Sequence, residues 1–109
     1  MSGVDFAALD MRVGTVRTAE AFPEARKPAF RLTIDFGPEL GVKRSSAQIT
    51  KHYTPDQLVG RQVVAAVNLG TRRIAGYESE VLVLGAVPEP GDVVLLAPER
   101  NVPDGTRIS

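Results

Sequence analysis

The chain has 109 residues, 43% of them apolar, which is enough for one compact core and predicts a single domain over residues 1–109. It has no cysteine and one histidine, His52, so a disulfide framework and thiol chemistry are excluded, and no metal or cofactor is expected. Thirteen cations balance thirteen anions, which argues against a uniformly basic polyanion binder. The charges are unevenly distributed along the chain. Residues 12–73 carry eleven cations against five anions, whereas residues 74–109 carry Arg100 and Arg107 against six acids.

No run approaches the roughly 20 apolar residues that span a bilayer, and residues 1–10 lack the basic start and apolar centre of a secretory signal. The expectation is a soluble, cytoplasmic protein with no membrane insertion. Residues 2–10 place Val4, Phe6 and Leu9 on one stripe of a helical turn or two, too short to stand alone. Residues 11–22 read as a strand whose phase shifts near Gly14 and Thr15, predicting a bulge there. Pro23 and Pro28 then enclose a first loop.

Residues 29–36 give the clearest period: Phe30, Leu32, Ile34 and Phe36 alternate with Arg31, Thr33 and Asp35, a half-buried strand with one wet face. Gly37, Pro38 and Gly41 mark a turn, after which residues 42–49 return antiparallel. Within that return, Lys43-Arg44-Ser45-Ser46-Ala47-Gln48-Ile49-Thr50 crowds two cations, three hydroxyls and an amide together without a carboxylate. Thr54 followed by Pro55 starts a short helix that Gly60 ends. Residues 62–69 and 80–87 read as buried strands and 93–96 as a short sixth one, with a loop carrying Arg72, Arg73 and Tyr77 between the first two.

Five or six short strands, a helix between the third and fourth, and glycine bends predict an all-β chain with short helices, the five-stranded Greek-key β-barrel called the OB-fold. In that architecture strands two and three, with the first and fourth connections, form the face that receives oligonucleotides. The 43–50 cluster lies on strand three and the Arg72 to Tyr77 segment in the fourth connection.

No serine lies in a nucleophile elbow, and the acids Glu78 and Glu80 form no paired-carboxylate arrangement, so catalysis is not expected. For Lys43 and Arg44 the plain alternative is a solvated strand edge that blocks further pairing. Tyr53 and Tyr77 could each be a partly buried ring with its hydroxyl in water, an alternative that suits Tyr53 better.

Six segments carry a more specific signal: Arg12-Val13-Gly14-Thr15-Val16, Ala25-Arg26-Lys27-Pro28-Ala29-Phe30, Ile34-Asp35-Phe36-Gly37, the 43–50 cluster, Arg72-Arg73-Ile74-Ala75-Gly76-Tyr77, and Ser79-Glu80-Val81-Leu82-Val83-Leu84-Gly85. Together they resemble the CsaA family of chaperone-like tRNA-binding proteins, relatives of the domain appended to methionyl-tRNA synthetases. That resemblance implies an OB-fold homodimer, tRNA binding by shape and charge, and an ascribed role in binding unfolded or exported polypeptides. It implies an RNA-binding surface of Lys43, Arg44, Ser46 and Gln48 on strand three, Arg72, Arg73 and Tyr77 in the fourth connection, Arg31 on strand two and Lys27 on its approach. Cations there would neutralise phosphate, hydroxyls and amides would bond to sugar or base edges, and an open tyrosine would stack on an unpaired base. One departure falls at Phe22, where the synthetase-appended domains carry a histidine. Val4, Phe6, Leu9, Val102 and Ile108 lie outside the expected barrel strands and are candidates for the dimer interface.

Overall fold

A computed structural model describes residues 8–109. Strands β1 (Met11–Ala21), β2 (Phe30–Asp35) and β3 (Val42–Ala47) form an antiparallel meander, with a four-residue helix α1 (Gly37–Leu40) in the second turn. Helix α2 (Pro55–Leu58) precedes β4 (Gln62–Ala66), which returns to pair with the first half of β1. The short hairpin β5 (Arg72–Ile74) and β6 (Tyr77–Ser79) leads to β7 (Leu82–Val83), the fifth strand of the main sheet, and β8 (Gly85–Glu89) and β9 (Asp92–Leu95) close the order. The main sheet runs β3-β2-β1-β4-β7 and curls into a nearly closed five-stranded barrel, the expected OB-fold.

Closure brings β3 against the segment between β6 and β7, largely through side chains. Glu80 N–H donates to the Arg44 carbonyl at 2.8 Å, while the Glu80 carboxylate accepts the Arg44 N–H at 3.0 Å. The Ser79 hydroxyl accepts the Ser46 N–H at 3.0 Å, and the Ser45 hydroxyl, fully buried, donates to the Val81 carbonyl at 3.0 Å. These bonds satisfy backbone groups that a strand edge would otherwise present.

The alternation of β2 places Phe30, Leu32 and Ile34 inward, where they pack with Val16, Phe36, Leu58, Val63 and Ala65. Strand β4 is buried on both faces: Val63 and Ala65 enter this core, while Val64 and Ala66 join Met11 and Val13 in a second cluster outside the barrel. The C-terminal segment covers that second cluster. Thr106 accepts the Val13 N–H at 2.9 Å, Ile108 N–H donates to Met11 at 2.9 Å, and Gln62 exchanges two bonds with the Val102 backbone. Val102 and Ile108, expected at an interface between copies, pack against this cluster together with Leu9 and stay partly exposed. The helical turns expected over Val4 and Phe6 lie outside the described residues.

Three details differ from expectation. Residues 80–87, read as one buried strand, split between β7 of the main sheet and β8 of a separate hairpin, and leave Leu82 and Val87 exposed. The bulge in β1 falls at Arg17, where Val16 pairs with Ile34 but Thr18 pairs with Thr33, and it passes the inward face from Val16 to Ala19. Gly14 serves close packing instead: a Cβ there would stand 2.7 Å from the Ile34 side chain and the Phe36 ring. The segment read as an arginine loop is the β5–β6 hairpin, turned by Ala75 and Gly76 with φ of 46° and 83°. Among the described residues no helix is long and apolar enough to cross a membrane, and no group of residues could hold a metal ion.

Candidate functional site

The β2–β3 register divides the strand-three cluster between two faces. Arg31 pairs with Ser46 and Thr33 with Arg44 on the outer face, whereas Lys43 pairs with Ile34 and shares its face with Ser45 and Ala47. Alternation carries the outer face on to the exposed Gln48. In the hairpin, Arg72 and Ile74 share one face and Arg73 takes the other, opposite Glu78.

Between the first loop, the end of β3 and this hairpin runs a groove with two lobes. The larger, about 430 Å³, is mostly apolar, walled by Ile49, Leu69, Ile74, Leu82 and Val83, with Arg72 at its margin. The smaller, about 240 Å³, is lined by Arg26 and Lys27 of the first loop with Ala25 and Ala29. Ser46, Gln48 and Ile74 line both lobes, and neither is lined by a carboxylate. Of the nine residues expected at the site, the groove brings together Lys27, Ser46, Gln48 and Arg72. It adds Arg26, whose signal was its position beside Lys27 between two loop prolines, and the apolar wall, which had no signal because its residues come from four segments.

Lys27, Lys43, Arg72 and Arg73, and with them Arg26, form no ion pair with any described residue. The side chains of Ser46 and Gln48 likewise make no hydrogen bond to a described residue. These groups are available to a ligand.

Arg31, Arg44 and Tyr77 are placed differently. Arg31 pairs with Glu20 at 3.0 Å and lies 5.3 Å from the Phe22 ring centre and 5.9 Å from that of Tyr77. Arg44 pairs with Glu78 at 3.1 Å and Glu80 at 3.4 Å, and its guanidinium sits 5.7 Å from the centre of the Tyr77 ring. The Tyr77 ring meets Phe22 edge-on at 5.6 Å, and its hydroxyl donates to the Leu32 carbonyl at 3.2 Å. Burial pushes the Tyr77 phenol above its ordinary pKa, with Arg44 and Arg31 opposing the rise. Tyr77 is therefore a packed brace, not the open stacking ring expected. The Arg31, Phe22, Tyr77 and Arg44 stack ties the first loop to the hairpin and so holds the two banks of the groove in place.

Tyr53 also packs: its hydroxyl accepts the Leu95 N–H at 3.0 Å and Arg61 covers its ring. His52 contacts the Asp92 carboxylate, which lies 4.0 Å from Lys51, so the sole histidine pins the segment before α2 to the β8–β9 hairpin. It has no serine within this arrangement to activate.

Comparison with known proteins bears on the fold and the family. The chain is 45% identical over 103 residues to a methionine–tRNA ligase of Methanothrix thermoacetophila and 40% identical over 104 residues to that of Porphyromonas gingivalis. These matches cover 94% and 95% of this chain but only 15% of each ligase. Among solved structures, chaperone CsaA of Bacillus anthracis superposes with a TM-score of 0.92 at 64% identity, covering 96% of this chain and 94% of that one. The CsaA chaperone protein of Picrophilus torridus gives 0.89 at 44% identity, with coverages of 96% and 95%. The family described as "Putative tRNA binding domain" matches residues 11–107. The chain accordingly belongs to the tRNA-binding domain family, with CsaA chaperones among its structural neighbours.

Proposed function

We propose that the protein binds tRNA non-catalytically, in the cytoplasm, by laying the phosphate backbone along the groove between the first loop and the β5–β6 hairpin. The observation that carries this reading is the acid-free lining: Arg26, Lys27 and Arg72 flank Ser46 and Gln48 with no carboxylate among the lining residues. Lys43 and Arg73 lie outside the groove, on the faces of their strands opposite Ser46 and Arg72. Arg31, Arg44 and Tyr77 contribute by holding the banks in position. Shape and charge recognition of this kind makes affinity fall steeply with salt. A mobility-shift titration of tRNA at rising salt tests it, using the wild type and a chain with Arg26→Ala, Lys27→Ala and Arg72→Ala.

Binding of unfolded or exported polypeptides is a second reading. It is favoured by the apolar wall of the larger lobe, where Leu69 and Leu82 are 57% and 51% exposed, and by the description of two structural neighbours as chaperones.

The reading includes a homodimer. Beside Val102 and Ile108, which stay partly exposed, its motive includes Val87, Val94 and Leu96, exposed on or beside the β8–β9 hairpin. Sedimentation of the full chain should give the mass of two copies, and Val94→Lys with Leu96→Lys should halve it. A wild type sedimenting as one copy contradicts the dimer.

A further inference from the structure

We propose that the larger lobe of the groove seats the base of one unpaired nucleotide, so that the protein distinguishes RNA with exposed single-stranded bases from uninterrupted duplex. The inference deepens the RNA-binding reading and rests on it. Its basis is the order of chemistry along the groove. The larger lobe is apolar and, at about 430 Å³, falls within the roughly 300–1,000 Å³ typical of small-ligand sites. At its junction with the smaller lobe stand the Ser46 hydroxyl and the Gln48 amide, neither bonded to another described side chain or backbone group. Beyond them the smaller lobe presents Arg26 and Lys27.

An unpaired nucleotide has the same sequence of parts: an apolar base face, a polar base edge and ribose, and an anionic phosphate. The Gln48 amide offers both a donor and an acceptor, matching the mixed edge of a base, and the cations of the second lobe match the phosphate. With Tyr77 packed against Phe22, the faces of the base would be held by the side chains of Ile74, Leu69 and Val83 instead of by an aromatic ring. An extended peptide fits less well. Adding a strand to β3 requires free backbone groups, and the N–H and carbonyl of Arg44 and the N–H of Ser46 are already bonded to Glu80 and Ser79.

The test compares an RNA hairpin carrying 2-aminopurine in an unpaired loop with a blunt duplex of equal phosphate count, both against the full-length chain. The wild type should bind the hairpin about tenfold more tightly and change the loop fluorescence on binding. Ile74→Phe, which fills the lobe from β5, should remove that preference and the fluorescence change. Leu69→Ser, which removes an apolar wall at an exposed position, should weaken that preference without touching the hairpin fold, and thermal melts confirm that both variants are folded. Equal wild-type affinity for hairpin and duplex overturns the proposal while leaving backbone binding intact. No binding of either RNA at low salt overturns the RNA reading itself. If hairpin and duplex are indistinguishable while Ile74→Phe loses affinity for an extended apolar peptide, the lobe is a polypeptide site and the proposal fails.

Discussion

At the scale of single residues, the decisive facts are partners that lie far away in the chain. Arg44 stands amid the most ligand-like run of the sequence, yet its guanidinium is held by Glu78 and Glu80, 34 and 36 residues onward. Nothing local to Lys43-Arg44-Ser45-Ser46 announces those acids, so the division between available and engaged cations was illegible beforehand. Ser46 and Gln48 came from the family resemblance, because four consecutive polar residues, Lys43 to Ser46, blur the alternation of this strand. Asp35 shows the same long-range pairing with a consequence for pH. The Arg17 guanidinium, bonded at 2.7 Å, and the Gly37 N–H hold its carboxyl below the ordinary value of 3.8. The folded chain therefore takes up this proton less readily than the unfolded chain. The stabilisation is fully present above that ordinary value and is lost as pH falls through the depressed one. Thermal melts of the wild type should show a steeper loss of Tm below about pH 4 than those of Asp35→Asn; parallel curves would show that the pair contributes nothing.

At the scale of elements, β2 was read correctly because its period of two continues unbroken from Phe30 to Phe36, with every inward position apolar. The β5–β6 hairpin was missed because each strand has three residues and its turn carries alanine where glycine or asparagine usually signals a left-handed residue. The misplaced bulge has a related cause. Gly14 and a true bulge leave similar traces in a sequence, and only the Ile34 and Phe36 contacts tell them apart. Ala75 yields a direct check. Holding φ at 46° costs an L-residue roughly 1–2 kcal/mol, partly offset by the greater unfolded-state freedom of glycine. Ala75→Gly should therefore raise stability by about 0.5–1 kcal/mol in urea unfolding. A loss of stability would mean that the turn does not hold this conformation in solution.

At the scale of the whole molecule, a neutral chain presents a locally basic groove because its acids are used elsewhere. Glu78 and Glu80 hold Arg44, Asp35 holds Arg17, Asp92 meets His52, and Asp104 accepts the Thr15 hydroxyl at 2.6 Å. Net charge was thus a poor guide to partner class, while the polarisation between the two parts of the sequence was a better one. The barrel and the helix before β4 follow from pattern and topology. The two-lobed groove is flanked by the Phe22–Tyr77 brace, which joins residues far apart in the chain.

The most direct test of the central claim is the slope of log affinity for tRNA against log salt. If Arg26, Lys27 and Arg72 each neutralise a phosphate, their simultaneous replacement by alanine should lower that slope by about 2 to 3 and weaken binding at low salt. An unchanged slope in a folded variant would show that the RNA backbone does not lie in this groove.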